Sequence, residues 1–157
     1  MNTELHRLAR GADLEAQAQA PLRLRFGLAC ARRVRHLLES PEAIEGLDTL
    51  EAFLDGRVSP EALAQAVQQM AVVAGSHPGS RSLDGATHAA VSATYAVSQA
   101  VAGRALQAAA YAAYATVYAY AGYAVTDSEA FAEEFAWQVS AFRALSDDGS
   151  GLAAPAG

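Results

Sequence analysis

The chain has no lysine; all 11 of its basic residues are arginine. A P-loop, a Schiff-base enzyme, a Ser-x-x-Lys hydrolase and a protein kinase each need an amine, so all four are excluded. A single cysteine, Cys30, rules out an internal disulfide and any multi-cysteine zinc or iron–sulfur site. No segment alternates apolar and polar residues over the length of a strand. Strongly apolar runs are also missing. The 22 residues between Arg104 and Asp127 carry no formal charge, yet ten of residues 105–125 are alanine and five are tyrosine. Membrane insertion is driven by leucine, isoleucine, phenylalanine and valine, so no membrane association is expected. A net charge of −6 and a pI near 5.1 argue against nucleic acid as a partner. The first residues mix both charge signs and lack an apolar core segment, which reads as a cytoplasmic chain without a signal peptide.

What remains is helical. At 157 residues, 39 of them alanine, the chain has the size of one domain with a core of its own. Residues 1–20 form either a weak helix or a frayed arm. A helix is expected over Pro21–Glu39, with Phe26, Cys30, Val34 and Leu37 on one side and Arg25, Arg32, Arg35 and His36 on another. Arg33 falls at the boundary of the apolar side. Cys30 should be a buried thiol packed with Phe26 and Val34, since free cysteine behaves as a small hydrophobe. Ser40-Pro41-Glu42 and Ser59-Pro60-Glu61 are matching helix starts, each with a capping hydroxyl, a proline and an acid. The first helix should bury Ala43, Leu47, Leu50 and Leu54 and stop at Gly56. The second should bury Leu63, Ala66, Val67 and Met70 and end at Gly75. Residues 75–85 read as a loop. Two Ala-rich helices follow, about 84–102 and 104–125, or one helix kinked at Gly103. Thr126–Glu129 has capping-box spacing, and a last helix to about Leu145 groups Phe131, Phe135, Val139 and Phe142. Residues 146–157 read as a disordered tail.

Charge is unevenly spread. Residues 22–38 hold five arginines and no acid, 39–61 hold seven acids and one arginine, and 62–126 hold only Arg81, Asp84 and Arg104. A solvent-facing helix normally carries a polar face, so the two uncharged helices should be central in the bundle or form a subunit interface. The fold expectation is therefore all-α: one compact bundle of five or six helices over residues 21–145, with 84–102 and 104–125 at its centre.

Asp84, His88, Ser92, Tyr95 and Gln99 share one helical stripe, and Tyr111, Tyr114 and Tyr118 share another on the next helix. Together they are a candidate polar seam or pocket, read either as a ligand cavity or as packing with each polar group partnered. His36 and Glu39 give one His-x-x-Glu spacing without a second copy, so neither a metal nor a cofactor is expected. No Gly-x-Ser-x-Gly elbow occurs, and no catalytic residue is assigned. The acidic residues Glu45, Asp48, Glu51 and Asp55 either pair with the preceding arginines or face a basic partner. Trp137 is either an interface anchor or part of a second buried face. A homodimer is expected, through the last helix or a central one.

The stretches FGLACARRVRHLLE, FLDGRVSPEAL and THAAVSATYAVSQAVAGRALQAAAYAAYA resemble the immunity-protein family encoded near bacterial polymorphic toxins. Cys30, Arg33 and Val34 stand where that family has cysteine, arginine and valine, and His88 matches the histidine of its Ala-rich segment. The resemblance covers about residues 22–118. It implies a helical cytoplasmic protein that binds and blocks a toxin without catalysis. The alternative is a helical small-ligand-binding protein or enzyme built on the His/Tyr seam.

Overall fold

The computed structural model describes residues 1–76, 85–121 and 127–153. Among them are seven α-helices and no strand: α1 (Thr3–Gly11), α2 (Ala20–Arg32), α3 (Pro41–Leu54), α4 (Pro60–Ser76), α5 (Gly85–Val101), α6 (Ala105–Ala121) and α7 (Ala132–Ala153). The all-helical bundle agrees with the sequence reading, but the count of helices exceeds the five or six expected.

The additional helix is α1. Asn2 caps it by accepting from the Leu5 backbone N–H at 3.2 Å, and Glu4 lies in the first turn, where the helix dipole favours an acid. Leu5 and Ala9 are buried against the bundle. The segment is thus a packed helix rather than a frayed arm. Its end is a Schellman turn: Asp13 takes φ 51°, its N–H reaches the Arg10 carbonyl, and the N–H of buried Leu14 reaches Ala9. Gly56 and Gly103, at φ 74° and 76°, close α3 and α5 with the same bond pair. Gly103 settles the choice left open by the sequence, because its left-handed backbone ends α5 and makes α5 and α6 two antiparallel helices.

The helix expected over 21–39 stops at Arg32. A 3₁₀ turn over Arg35–Leu37 follows, and Leu38 and Ser40 are extended. Pro41 accounts for the extended Ser40, since a residue before proline is driven out of the α region. Val34, between the helix and the turn, is fully shielded from solvent. The last helix continues eight residues past the expected end, to Ala153. It is preceded by a 3₁₀ turn at Ser128–Phe131, capped by Asp127, which accepts from the Glu129 N–H at 3.0 Å. Thr126 and the 77–84 loop lie outside the described residues.

The helices form two layers. α5 lies between α4 and α6, and α2 lies between α3 and α7; the first trio covers the second, and α1 rests on α7. Of the two Ala-rich helices, α5 is central as expected, but α6 stands at the edge and shows Gln107, Ala110 and Tyr114 to solvent. The second central helix is α2. It carries Phe26, Cys30 and Ala31 into the core, and Val34 just beyond its end joins them, all at 0 % exposure. Most of the buried residues of α5 and α6 are alanine, which lets the two backbones approach closely.

Gly27 sets the approach of α2 to α5. A Cβ there would sit 3.2 Å from Ala100 Cα and 3.3 Å from Ala100 Cβ, neither of which can rotate aside. At Gly46 the obstacle is the Met70 thioether at 2.8 Å, the far end of a flexible side chain. Gly27→Ala should therefore lower stability by about 1–2 kcal/mol despite alanine's better helix propensity. Gly46→Ala should be close to neutral, because that propensity gain offsets the repacking of Met70. Urea denaturation of both variants checks the contrast, and equal losses would refute it.

Candidate functional site

The predicted His/Tyr stripe is brought together by the α5–α6 hairpin. Tyr95 and Tyr111 stand eight residues to either side of Gly103, and His88 and Tyr118 fifteen. Antiparallel helices meet at equal distances from their turn, so the rings pair. Tyr95 stacks on Tyr111 with centroids 5.1 Å apart, and His88 stacks on Tyr118 at 5.0 Å. Tyr114 leans on Tyr118 and meets Phe131 edge-on at 5.3 Å. Ser92 and Gln99 are half-buried on the same stripe of α5. Asp84 lies outside the described residues. The seam forms a ladder of paired rings along the outside of the hairpin. Among the described residues, no group of three His, Cys, Asp or Glu side chains could hold a metal ion.

The acidic residues of α3 mostly face arginine. Asp48 accepts from Arg35 at 2.8 Å, and Glu51 pairs with Arg32. Asp55 pairs with Arg57 just beyond the helix, and Glu45 is exposed. Of the two alternatives for the basic and acidic segments, pairing across the connection is the one seen for Asp48 and Glu51. Such exposed pairs contribute little stability and mainly set register.

Trp137 is half-buried at the junction of α2 and α7. The Arg33 guanidinium lies 4.1 Å from its ring centroid, a cation–π arrangement. The same guanidinium grips Glu134 in fork geometry, Nη2 donating to Oε2 at 2.8 Å and Nε to Oε1 at 3.0 Å. Glu134 is only 4 % exposed, against 37 % for Arg33. The carboxylate holds the Arg33 pKa above its usual value. Burial first, and Glu134 second, push the Cys30 thiol far up, so it stays protonated.

Two residues that the sequence reading passed over join the termini to the core. Gln138, 1 % exposed, donates to the Ala109 carbonyl of α6 at 2.8 Å and accepts from Asn2 at 3.2 Å. Asn2 also donates to the Phe135 carbonyl at 3.2 Å. The sequence held a signal: Gln138 lies at the centre of the Phe131/Phe135/Phe142 face, where a buried amide must find partners.

Beside this junction a groove of about 400 Å³ opens between the 3₁₀ turn and the C-terminal half of α6. Arg33, His36, Leu37, Thr116, Ala119 and Tyr120 line it. The Thr116 hydroxyl is used within α6, donating to Ala112 at 3.0 Å. Tyr120 is 92 % exposed and stands at the mouth. One wall brings the His36 imidazole and Arg33, whose charge is already met by Glu134, and the other brings the Tyr120 ring, so the groove suits a polar group attached to a flat apolar surface. Neither wall alone announces it in the sequence, because even Leu37 and Thr116 lie 79 positions apart. No protein-family model, curated protein or solved structure matches this chain.

Proposed function

We propose that the chain is a non-catalytic, cytoplasmic binding protein of immunity type, which holds and neutralises a cognate bacterial toxin. The observation that carries the reading is Tyr120, standing in solvent beside Arg33 and His36 at the mouth of the groove. Tyrosine and arginine are the residues most enriched where interfaces concentrate their binding energy. The sequence resemblance adds support. Of the positions that match the family, Cys30 and Val34 are core and Arg33 reaches the groove.

Co-expression with the toxin encoded beside its gene should restore growth. Because the Tyr120 side chain is almost wholly exposed, Tyr120→Ala should leave the unfolding midpoint unchanged. Truncating an aromatic anchor costs at least about 2 kcal/mol of binding, so the toxin dissociation constant should rise about 30-fold. An unchanged constant would place the toxin elsewhere. A second reading, a small-ligand-binding protein or enzyme using the His/Tyr seam, draws on the stacked His88/Tyr118 and Tyr95/Tyr111 rings, which join apolar faces to polar edges along one side of the hairpin. A small molecule retained in native mass spectra of the purified protein would favour it.

A further inference from the structure

The sequence's uneven charge becomes a division between the two layers. Among the described residues of the α4–α5–α6 layer beyond Glu61, the only charged residue is Arg104, in the turn at one end. The ion pairs of Glu4, Asp48, Glu51, Asp55 and Glu134 lie in α1, α2, α3, α7 and the turns next to them. The outer surface of the uncharged layer is nevertheless open to solvent. It presents Gln68 and Val72 of α4, the Tyr95 stripe of α5, and Gln107, Ala110 and Tyr114 of α6. Val72 is 69 % exposed and Tyr114 45 %. A surface helix of a monomer ordinarily carries charge on its water side, and here two neighbouring helices do not.

We propose that this face pairs with the same face of a second copy of the chain. Charge selects the occupant. Two copies of net charge −6 repel wherever their acidic surfaces meet, and across a two-fold axis α3 would set acids against acids. The α4–α5–α6 face brings no formal charge to such a contact. Its amides and phenols both donate and accept hydrogen bonds, so whichever of them meet across the axis can pair. A basic or acidic partner would find nothing there to recognise. The size also fits. Three helices of 17 residues are each about 25 Å long, and at interaxial spacings of about 8–10 Å they cover an area comparable to the roughly 800 Å² per partner of a standard interface. The surface lies away from the α7 face of Trp137, where the sequence had also allowed a dimer contact. It is independent of the toxin-binding proposal.

Light scattering on the eluting protein at micromolar concentration tests this. Twice the 16.3 kDa chain mass is expected. Gln68→Glu and Ala110→Glu each place a charge in a contact that offers it no counter-charge, at exposed helical sites where glutamate is well tolerated. Each should weaken dimerisation at least tenfold, with an unchanged far-ultraviolet circular dichroism spectrum. Ala136→Glu, on the exposed side of α7, should leave the dimer intact. A monomer throughout the concentration range overturns the proposal. So does a dimer indifferent to both face variants, or one that only Ala136→Glu disrupts. A monomer that co-sediments with phosphatidylcholine–phosphatidylserine vesicles also overturns it and gives the face to lipid.

Discussion

Replacing Phe142 with alanine should destabilise the protein by about 3–5 kcal/mol, near the top of the range for buried aromatic truncations. The ring is 2 % exposed and stands edge-on to Phe26, with centroids 5.3 Å apart and planes at 90°. It joins α7 to the central helix α2, so its removal loosens the contact between two layer members. The loss has two parts, the transfer of the ring's apolar surface and the cavity left behind. The second part depends on whether neighbours can move in. Here much of the core cluster to which the ring belongs is alanine, including Ala105, Ala108, Ala109 and Ala112. An alanine has no rotamer to adopt, so the cavity stays open unless whole helices shift. A domain of this size loses about 2–4 °C in melting temperature per kcal/mol, so a drop of about 6–20 °C is expected by calorimetry. Phe142→Leu, which keeps most of the volume, should lose less than half as much. A loss below about 1 kcal/mol for the alanine variant would mean that the helices close over the gap.

The same alanine content explains how much of the fold the sequence revealed. Helix type and most boundaries were readable, because caps and breakers are local. Ser40 caps α3 by accepting from Ala43 at 3.4 Å, as its position before Pro41 suggests. The Gly103 break was visible as a candidate and became definite only through its positive φ. The placement of α6 was not readable. An uncharged helix looks buried by composition, yet its neighbours in space depend on how α2 packs. The close contact at Gly27, which reads as a weak spot in a helix, brings α2 into the centre. α1 was left open because its stability comes from tertiary contacts of Leu5, Ala9 and Asn2 rather than from propensity.

The aromatic seam was legible because equal spacing from a single turn fixes which residues face each other. The groove was not, because it depends on where the chain after Arg32 bends. A continuous helix to Glu39 would have carried Arg35 and His36 around the helix axis. The 3₁₀ turn instead sets His36 and Leu37 opposite Thr116 and Tyr120. Arg33 is an intermediate case. Its position at the edge of the apolar side was evident from the periodicity, but its partner lies 101 residues away in sequence.

That partnership should be strongly asymmetric. Arg33→Leu takes the arginine partner from a Glu134 carboxylate that is 4 % exposed in the intact protein. Glu134→Leu leaves a guanidinium that is already 37 % exposed and free to turn toward water. Breaking a fully buried pair costs about 3–5 kcal/mol; with one partner partly solvated, about 2–3 kcal/mol is expected for Arg33→Leu and about 1 kcal/mol for Glu134→Leu. The arginine variant also loses the contact over Trp137, worth about 0.5–1 kcal/mol. Removing both charges strands neither, so Arg33→Leu/Glu134→Leu should be more stable than Arg33→Leu alone, a departure from additivity that a double-mutant cycle measures. Arg33→Lys should recover only part of the loss, because an ammonium can neither fork onto the carboxylate nor stack flat on the indole. Urea midpoints for the four variants, taken at low and high salt, give the full comparison. The Arg33→Leu loss should change little with salt, since a shielded carboxylate is poorly screened. If Glu134→Leu proved the more damaging of the single changes, the guanidinium would be the dependent partner and the burial argument would fail.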